Sequence, residues 1–211
     1  MSHLAFFLAV LFPTLAACSG PAGSGVAKTE TRAVGAFDRI EVGGALQVDI
    51  TVGAAAEVKV TAEDNLVDRI EADVVDGELV LKTTGDFRAQ IAPRVIVTVP
   101  TLDGVEARGA SRVDASGLEA EALTIEAHGA SRVEVDGTAS RLDVAAHGAS
   151  RVDATDLASA EVAVEASGAS EIDVARPQTL VARLSGASRC TYAGEPRIDK
   201  TTSGASTLAP R

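Results

Sequence analysis

From Leu123 to Val133 the chain alternates without a break. Leu123, Ile125, Ala127, Gly129, Ser131 and Val133 hold the odd positions, and Thr124, Glu126, His128, Ala130 and Arg132 the even ones. Period-two alternation sends one set into an interior and the other into water, so it predicts strand. The pattern returns at Leu142, Val144, Ala146, Gly148, Ser150 and Val152, and again at Val162, Val164, Ala166, Gly168, Ser170 and Ile172. Leu180, Ala182, Leu184, Gly186, Ser188 and Cys190 repeat it once more. Parity survives each glycine, so the glycine marks a bend within one pleat and not a turn that resets the faces. At about 3.3 Å per residue an unbent stretch of this kind would run to roughly 36 Å. The bend divides it into two walls, and variable stretches such as 115–122 and 154–161 supply a third side.

The bends carry a recurring Gly-Ala-Ser, with serines at Ser111, Ser131, Ser150, Ser170, Ser188 and Ser206, so the steps are 20, 19, 20, 18 and 18 residues. A period this short between strand-like segments is the mark of a solenoid whose coils stack on one another. The expected fold is therefore all-β: a single-stranded parallel β-helix with about 18–20 residues per coil. The segment 101–211 holds the regular coils, and 34–100 is less periodic. There Leu46, Val48, Ile50 and Val52 follow Gly43-Gly44 as an early, degenerate coil, and Asp76-Gly77 joins two further strands. We read 34–100 as first coils plus hairpins that close one end, since an uncovered end recruits other chains. Only 64–69 (DNLVDR) has the look of a helical turn.

Stacking repeats each side chain about every 4.8 Å along the axis. Six buried serine hydroxyls then need partners, either one another or the carbonyls of the corner. A nucleophilic serine would need a base, and no histidine falls at an inward position beside any of the six. Outside, Arg112, Arg132, Arg151 and Arg189 form one column, interrupted by Glu171. Asp114, Glu134, Asp153 and Asp173 form another. Opposite charges interleaved in this way make a solvated polar face; the alternative is a carboxylate cluster of the kind that cleaves polysaccharide. His128 and His147 share one outward slot in adjacent coils, with Glu126 two residues before the first. Together they are candidate ligands for a divalent transition metal, or the basis of a pH-responsive sensor. Arg108 below them opposes a cation. Cys190 fills the slot of Val113, Val133, Val152 and Ile172, which predicts a small buried apolar residue.

The formal net charge is −11 with no local basic cluster, which excludes a nucleic-acid partner. The short apolar run Leu4–Leu11 is the core of a secretory leader, and Leu15-Ala16-Ala17-Cys18 resembles the lipobox of bacterial lipoproteins. That resemblance implies removal of 1–17, acyl chains on Cys18 and, with Ser19 and not Asp after it, an outer-membrane address. The alternative is a secreted chain cut elsewhere. Residues 18–33, small and polar, are expected to form a flexible tether.

Phe37-Asp38-Arg39-Ile40, Ala62-Glu63-Asp64-Asn65-Leu66, Asp76-Gly77-Glu78-Leu79, Val97-Thr98-Val99-Pro100 and the recurring Gly-Ala-Ser together resemble the head GIN domain family of bacterial envelope proteins. The resemblance covers most of 34–207. It implies a right-handed parallel β-helix, often at the cell envelope and without established enzymatic activity. We therefore expect a non-catalytic, lipid-anchored protein, without cofactor, whose polar face contacts an envelope protein or glycan. A lateral face is also open to homo-oligomer contact. The enzyme is the weaker expectation, because coils differing by two residues leave no insertion to build a cleft.

Overall fold

The computed structural model describes residues 20–211. Sixteen strands form one sheet that winds into a parallel β-solenoid of about five turns. In the first half these are β1 (Ala27–Arg32), β2 (Arg39–Val42), β3 (Gln47–Val52), β4 (Glu57–Glu63), β5 (Ile70–Val75), β6 (Glu78–Thr83) and β7 (Arg94–Val99). The regular coils contain β8 (Gly104–Ala107), β9 (Arg112–Ala127), β10 (Arg132–Ala146), β11 (Arg151–Ala166), β12 (Glu171–Val174), β13 (Thr179–Leu184), β14 (Arg189–Tyr192), β15 (Arg197–Thr202) and β16 (Thr207–Pro210). The 64–69 turn is a single 3-10 turn, Val67–Arg69.

The alternation read from the sequence is the alternation of the coil. In β10, Val133, Val135, Ala139, Leu142, Val144 and Ala146 are buried while Arg132, Asp136, Thr138 and Arg141 are exposed. Parity shifts once between Ala139 and Leu142, so each long strand bends there. The coil is thus a triangle with walls at 131–135, 137–139 and 142–146. The corner at Gly148 separates the third wall from the first wall of the next coil. The bulky core is built from β-branched and leucine side chains stacked in register, such as Leu123, Leu142, Val162 and Leu180. Burying each contributes about 1.5–3 kcal/mol.

Unequal steps in the repeat have separate local causes. The 19-residue coil has one residue, Asp136, where the preceding coil has Ser116 and Gly117, and the register shifts there. The 18-residue coils shorten the middle wall: β11 spans 155–160 where the next coil has only 175–178.

The first half forms the cap, in an order that differs from the chain. Stacked outward from β9, the first wall runs β3, β7, β4, β1, and the third wall runs β8, β2, β6, β5. The early coil at β2–β3 therefore lies directly against the regular coils, and the later β6–β7 coil lies beyond it. Antiparallel pairing of β4 with β7, β1 with β4, and β5 with β6 closes this end. Reversal of direction ends the repeat.

The expectation of a flexible tether over 18–33 does not hold for the described part of it. β1 pairs with β4 through all six residues, and Ala22 bridges Arg88. The carboxylate of Glu63, fully buried, accepts the N–H of Gly25 (2.7 Å) and of Gln90 (2.9 Å). Small polar residues here pack closely and are not a spacer: a Cβ on Gly23 would overlap the Glu63 carboxylate at 1.9 Å.

Candidate functional site

The serines stand in single file. Arg151 N–H donates to the Ser131 carbonyl and Glu171 N–H to the Ser150 carbonyl, both at 2.9 Å, so each Gly-Ala-Ser sits on the one before. Five of the six serines are buried, and Ser206 in the last coil is half-buried. Of the two partners open to them, the hydroxyls use corner carbonyls. Ser131 Oγ donates to Ala107 O (3.2 Å), Ser150 to Ala127 O (3.1 Å) and Ser170 to Ala146 O (3.1 Å). Ser111 reaches Arg108 O, Ser188 the carbonyls of Ala166 and Ser185, and Ser206 those of Leu184 and Ser203. Their protons are committed to structure.

Glycine is required beside them. At Gly148, φ is +83° and a Cβ would lie 2.8 Å from the Gly129 carbonyl oxygen. The same column begins earlier than the six copies, at Gly44, whose carbonyl accepts the Ala110 N–H.

On the outer face of the first wall, the arginine and acid columns form a ladder of ion pairs. Arg112 bonds Asp114 and reaches up to Glu134, and Arg132 bonds Glu134 at 2.6 Å. Glu171, which interrupts the arginines, accepts from Arg151 (2.5 Å), and Arg151 also pairs with the buried Asp173 (2.9 Å). Neighbouring Asp114 keeps Arg112 firmly charged, first by its hydrogen bond and then by its charge. Thr191 closes the acid column by donating to Asp173.

At the corner, His128 and His147 stack with ring centroids 5.1 Å apart. His128 Nε2 lies 3.5 Å from both Glu126 Oε2 and Glu106 Oε1. The ligand atoms of Glu106, Glu126 and His128 fall within 4.8 Å of one another, while His147 turns its Nδ1 to the Ser167 hydroxyl (2.8 Å). Glu106 is the residue that reading along the chain missed; it stands one coil below Glu126 in the same column. Its Oε1 already accepts from Arg108 (2.6 Å), so a metal ion here competes with a guanidinium. Cys190 is fully buried between Ile172 and Leu208, and burial, followed by the Asp173 charge, pushes its thiol up to about 12. Cys18 and the leader 1–17 lie outside the described residues.

Grooves form without insertions, contrary to the expectation that near-equal coils leave none. One, about 840 Å³ and open to solvent, carries Glu78, Asp103, Glu106, Glu121, Glu126 and Glu161 against Arg39 and Arg141. Its lining follows the bend between the middle and third walls, from Glu121 through Arg141 to Glu161.

Fold and surface together define a parallel β-solenoid that spends its repeated serines on its own corners and shows the solvent a lattice of ion pairs. The chain belongs to the family described as "putative auto-transporter adhesin, head GIN domain", which it matches over residues 36–196. Among solved structures it is similar to an adhesin-like protein of Bacteroides fragilis, with a TM-score of 0.68 at 21% identity, over 90% of this chain and 98% of that one. It is also similar to one from Parabacteroides merdae (0.55, 17%, 90% and 98%). A third, from Parabacteroides distasonis and described as a "putative lipid binding protein", gives 0.55 at 18% over the same shares. These likenesses establish the fold. No curated protein sequence matches the chain.

Proposed function

We propose that the protein is a non-catalytic contact module of the bacterial cell envelope, lipid-anchored at Cys18 in the outer membrane, whose ion-paired face meets a partner protein or glycan. The observation that carries this reading is the uniformity of the outer columns. Asp114, Glu134 and Asp173 each accept from an arginine, and Asp153, the one acid of this column without an arginine partner, accepts the Thr155 N–H (3.2 Å), so no carboxylate of the column stands unbonded. General acid–base work needs two carboxyl groups driven apart in acidity, and repetition works against that. A surface repeated at about 4.8 Å suits many weak, equivalent contacts.

Metabolic labelling with an alkyne fatty acid tests the anchor. The wild type takes up label and sediments with outer membranes, and Cys18→Ser abolishes both. Unchanged fractionation of Cys18→Ser contradicts lipid attachment. For the non-catalytic role, incubation with uronate polymers leaves chain length unchanged; turnover would overturn it.

A further inference from the structure

Shortening of the middle wall leaves a notch in the side of the solenoid. The register of β11 with the next coil stops at Ala154 and resumes at Glu161. Across 155–160 a single bond, from Gln178 N–H to the Ala160 carbonyl (2.9 Å), joins that edge to the shortened 175–178 loop. Pro177 brings no N–H that could extend the ladder. The space left is about 830 Å³.

Its lining differs from the rest of the surface. Thr138, Ala158 and Ser159 give a floor of small side chains, low enough for another backbone to approach. Ser159 is 9% exposed, and its Oγ has no hydrogen-bond partner, unlike any serine of the corner column. Arg176 and Arg211 stand at the rim with one acid, Asp156. The side chains of the rim thus bring two guanidinium groups to one carboxylate, in a chain of net charge −11. Arg211 is steadied there by its bond to the Val174 carbonyl (3.2 Å).

We propose that the notch receives an extended polypeptide segment of a partner protein, which adds a strand along 155–160 and sets an acidic side chain against Arg176 and Arg211. An interrupted strand edge offers backbone donors and acceptors in the spacing that a polypeptide matches and a sugar chain does not. The orphaned Ser159 hydroxyl gains a partner when the cleft fills. Repetition on the other walls gives the molecule many equivalent contacts; among the described residues the notch occurs once and gives it a specific one. The inference takes the contact role proposed above as its setting.

The probe is a display library of random short linear peptides, panned on the purified chain and on two variants. One variant exchanges 175–178 for the longer segment 155–160, rebuilding the missing wall; the other is Arg176→Glu. Peptides enriched on the wild type carry an Asp or Glu, lose binding to the filled variant, and bind Arg176→Glu about tenfold more weakly. Circular dichroism checks that each variant is folded, and Arg176→Glu alone decides the matter if the filled variant is not. No enrichment, or enrichment that both variants retain, overturns the proposal. So does binding of uronate oligomers that Arg176→Glu abolishes, or self-association that it dissolves. If cells expressing Arg176→Glu adhere as the wild type does, the contact role stands and the notch is excluded from it.

Discussion

At the scale of the residue, the corner column shows why only one amino acid serves. Gly168 has φ +79° and its missing Cβ would meet the Gly148 carbonyl oxygen at 2.5 Å. Strain and overlap thus act together at one site. Gly148→Ala is expected to lower stability by about 1–3 kcal/mol in urea unfolding, whereas an exposed change such as Ala158→Ser leaves it unaltered. Cys190 offers a pH test. Its thiol, ordinarily near 9.0, is held up to about 12 in the fold by burial. Below pH 9 its contribution to stability is whole; above that the unfolded chain sheds a proton that the native chain keeps, so stability falls as pH rises toward 12. The wild type should therefore lose more melting temperature between about pH 9 and pH 11 than Cys190→Val does. The thiol also stays unreactive toward alkylating reagents until the protein unfolds.

At the scale of the element, the first and third walls were legible because alternation is uninterrupted within each, whereas the long strands that join a first wall to the third wall of the same coil run through a parity shift. Leu142 to Val152 reads inward and outward correctly from the sequence alone except at the bend, where Gly148, expected among the inward set, is exposed. The corner serines were legible as a column, and the choice between one another and the carbonyls was settled by distance. What could not be read is where each coil loses residues. Steps of 19 and 18 are plain in the sequence, but nothing local to Asp136 or Pro177 says that the first is absorbed at a corner and the second by a wall. Segment 20–33 misled for a different reason. Gly23 packs against the Glu63 carboxylate and Gly25 bonds to it across about forty residues of chain, while Gly20 sits against the Asp86 carbonyl. Glu63→Ala removes the acceptor of two backbone N–H groups and is expected to cost about 1–3 kcal/mol. Limited trypsin digestion then cuts after Lys28 in the variant while sparing the wild type.

At the scale of the whole molecule, the architecture is a capped stack, and the cap is where order along the chain and order in space part company. β3 precedes β7 in sequence yet lies nearer the regular coils. Period and parity do not encode that exchange, since both strands turn β-branched residues inward in the same phase, Val48, Ile50 and Val52 in one and Val95, Val97 and Val99 in the other. The candidate site was legible to the same degree: Glu126, His128 and His147 came from adjacent copies, and Glu106 appeared only once coils were counted downward. The notch follows from the whole-molecule register and from no motif.

Spin-label distances along the arginine column test this architecture most directly. In the stack, Arg94, Gln47, Arg112, Arg132, Arg151, Glu171, Arg189 and Thr207 follow one another coil by coil. With Cys190 replaced by valine, nitroxides at positions 94 and 207 should lie roughly 34 Å apart, and those at 47 and 207 roughly 29 Å, at about 4.8 Å per step. The pair more distant in sequence is the closer in space. A 47–207 distance equal to or longer than the 94–207 distance, or distances unrelated to the number of coils between labels, would contradict the stack.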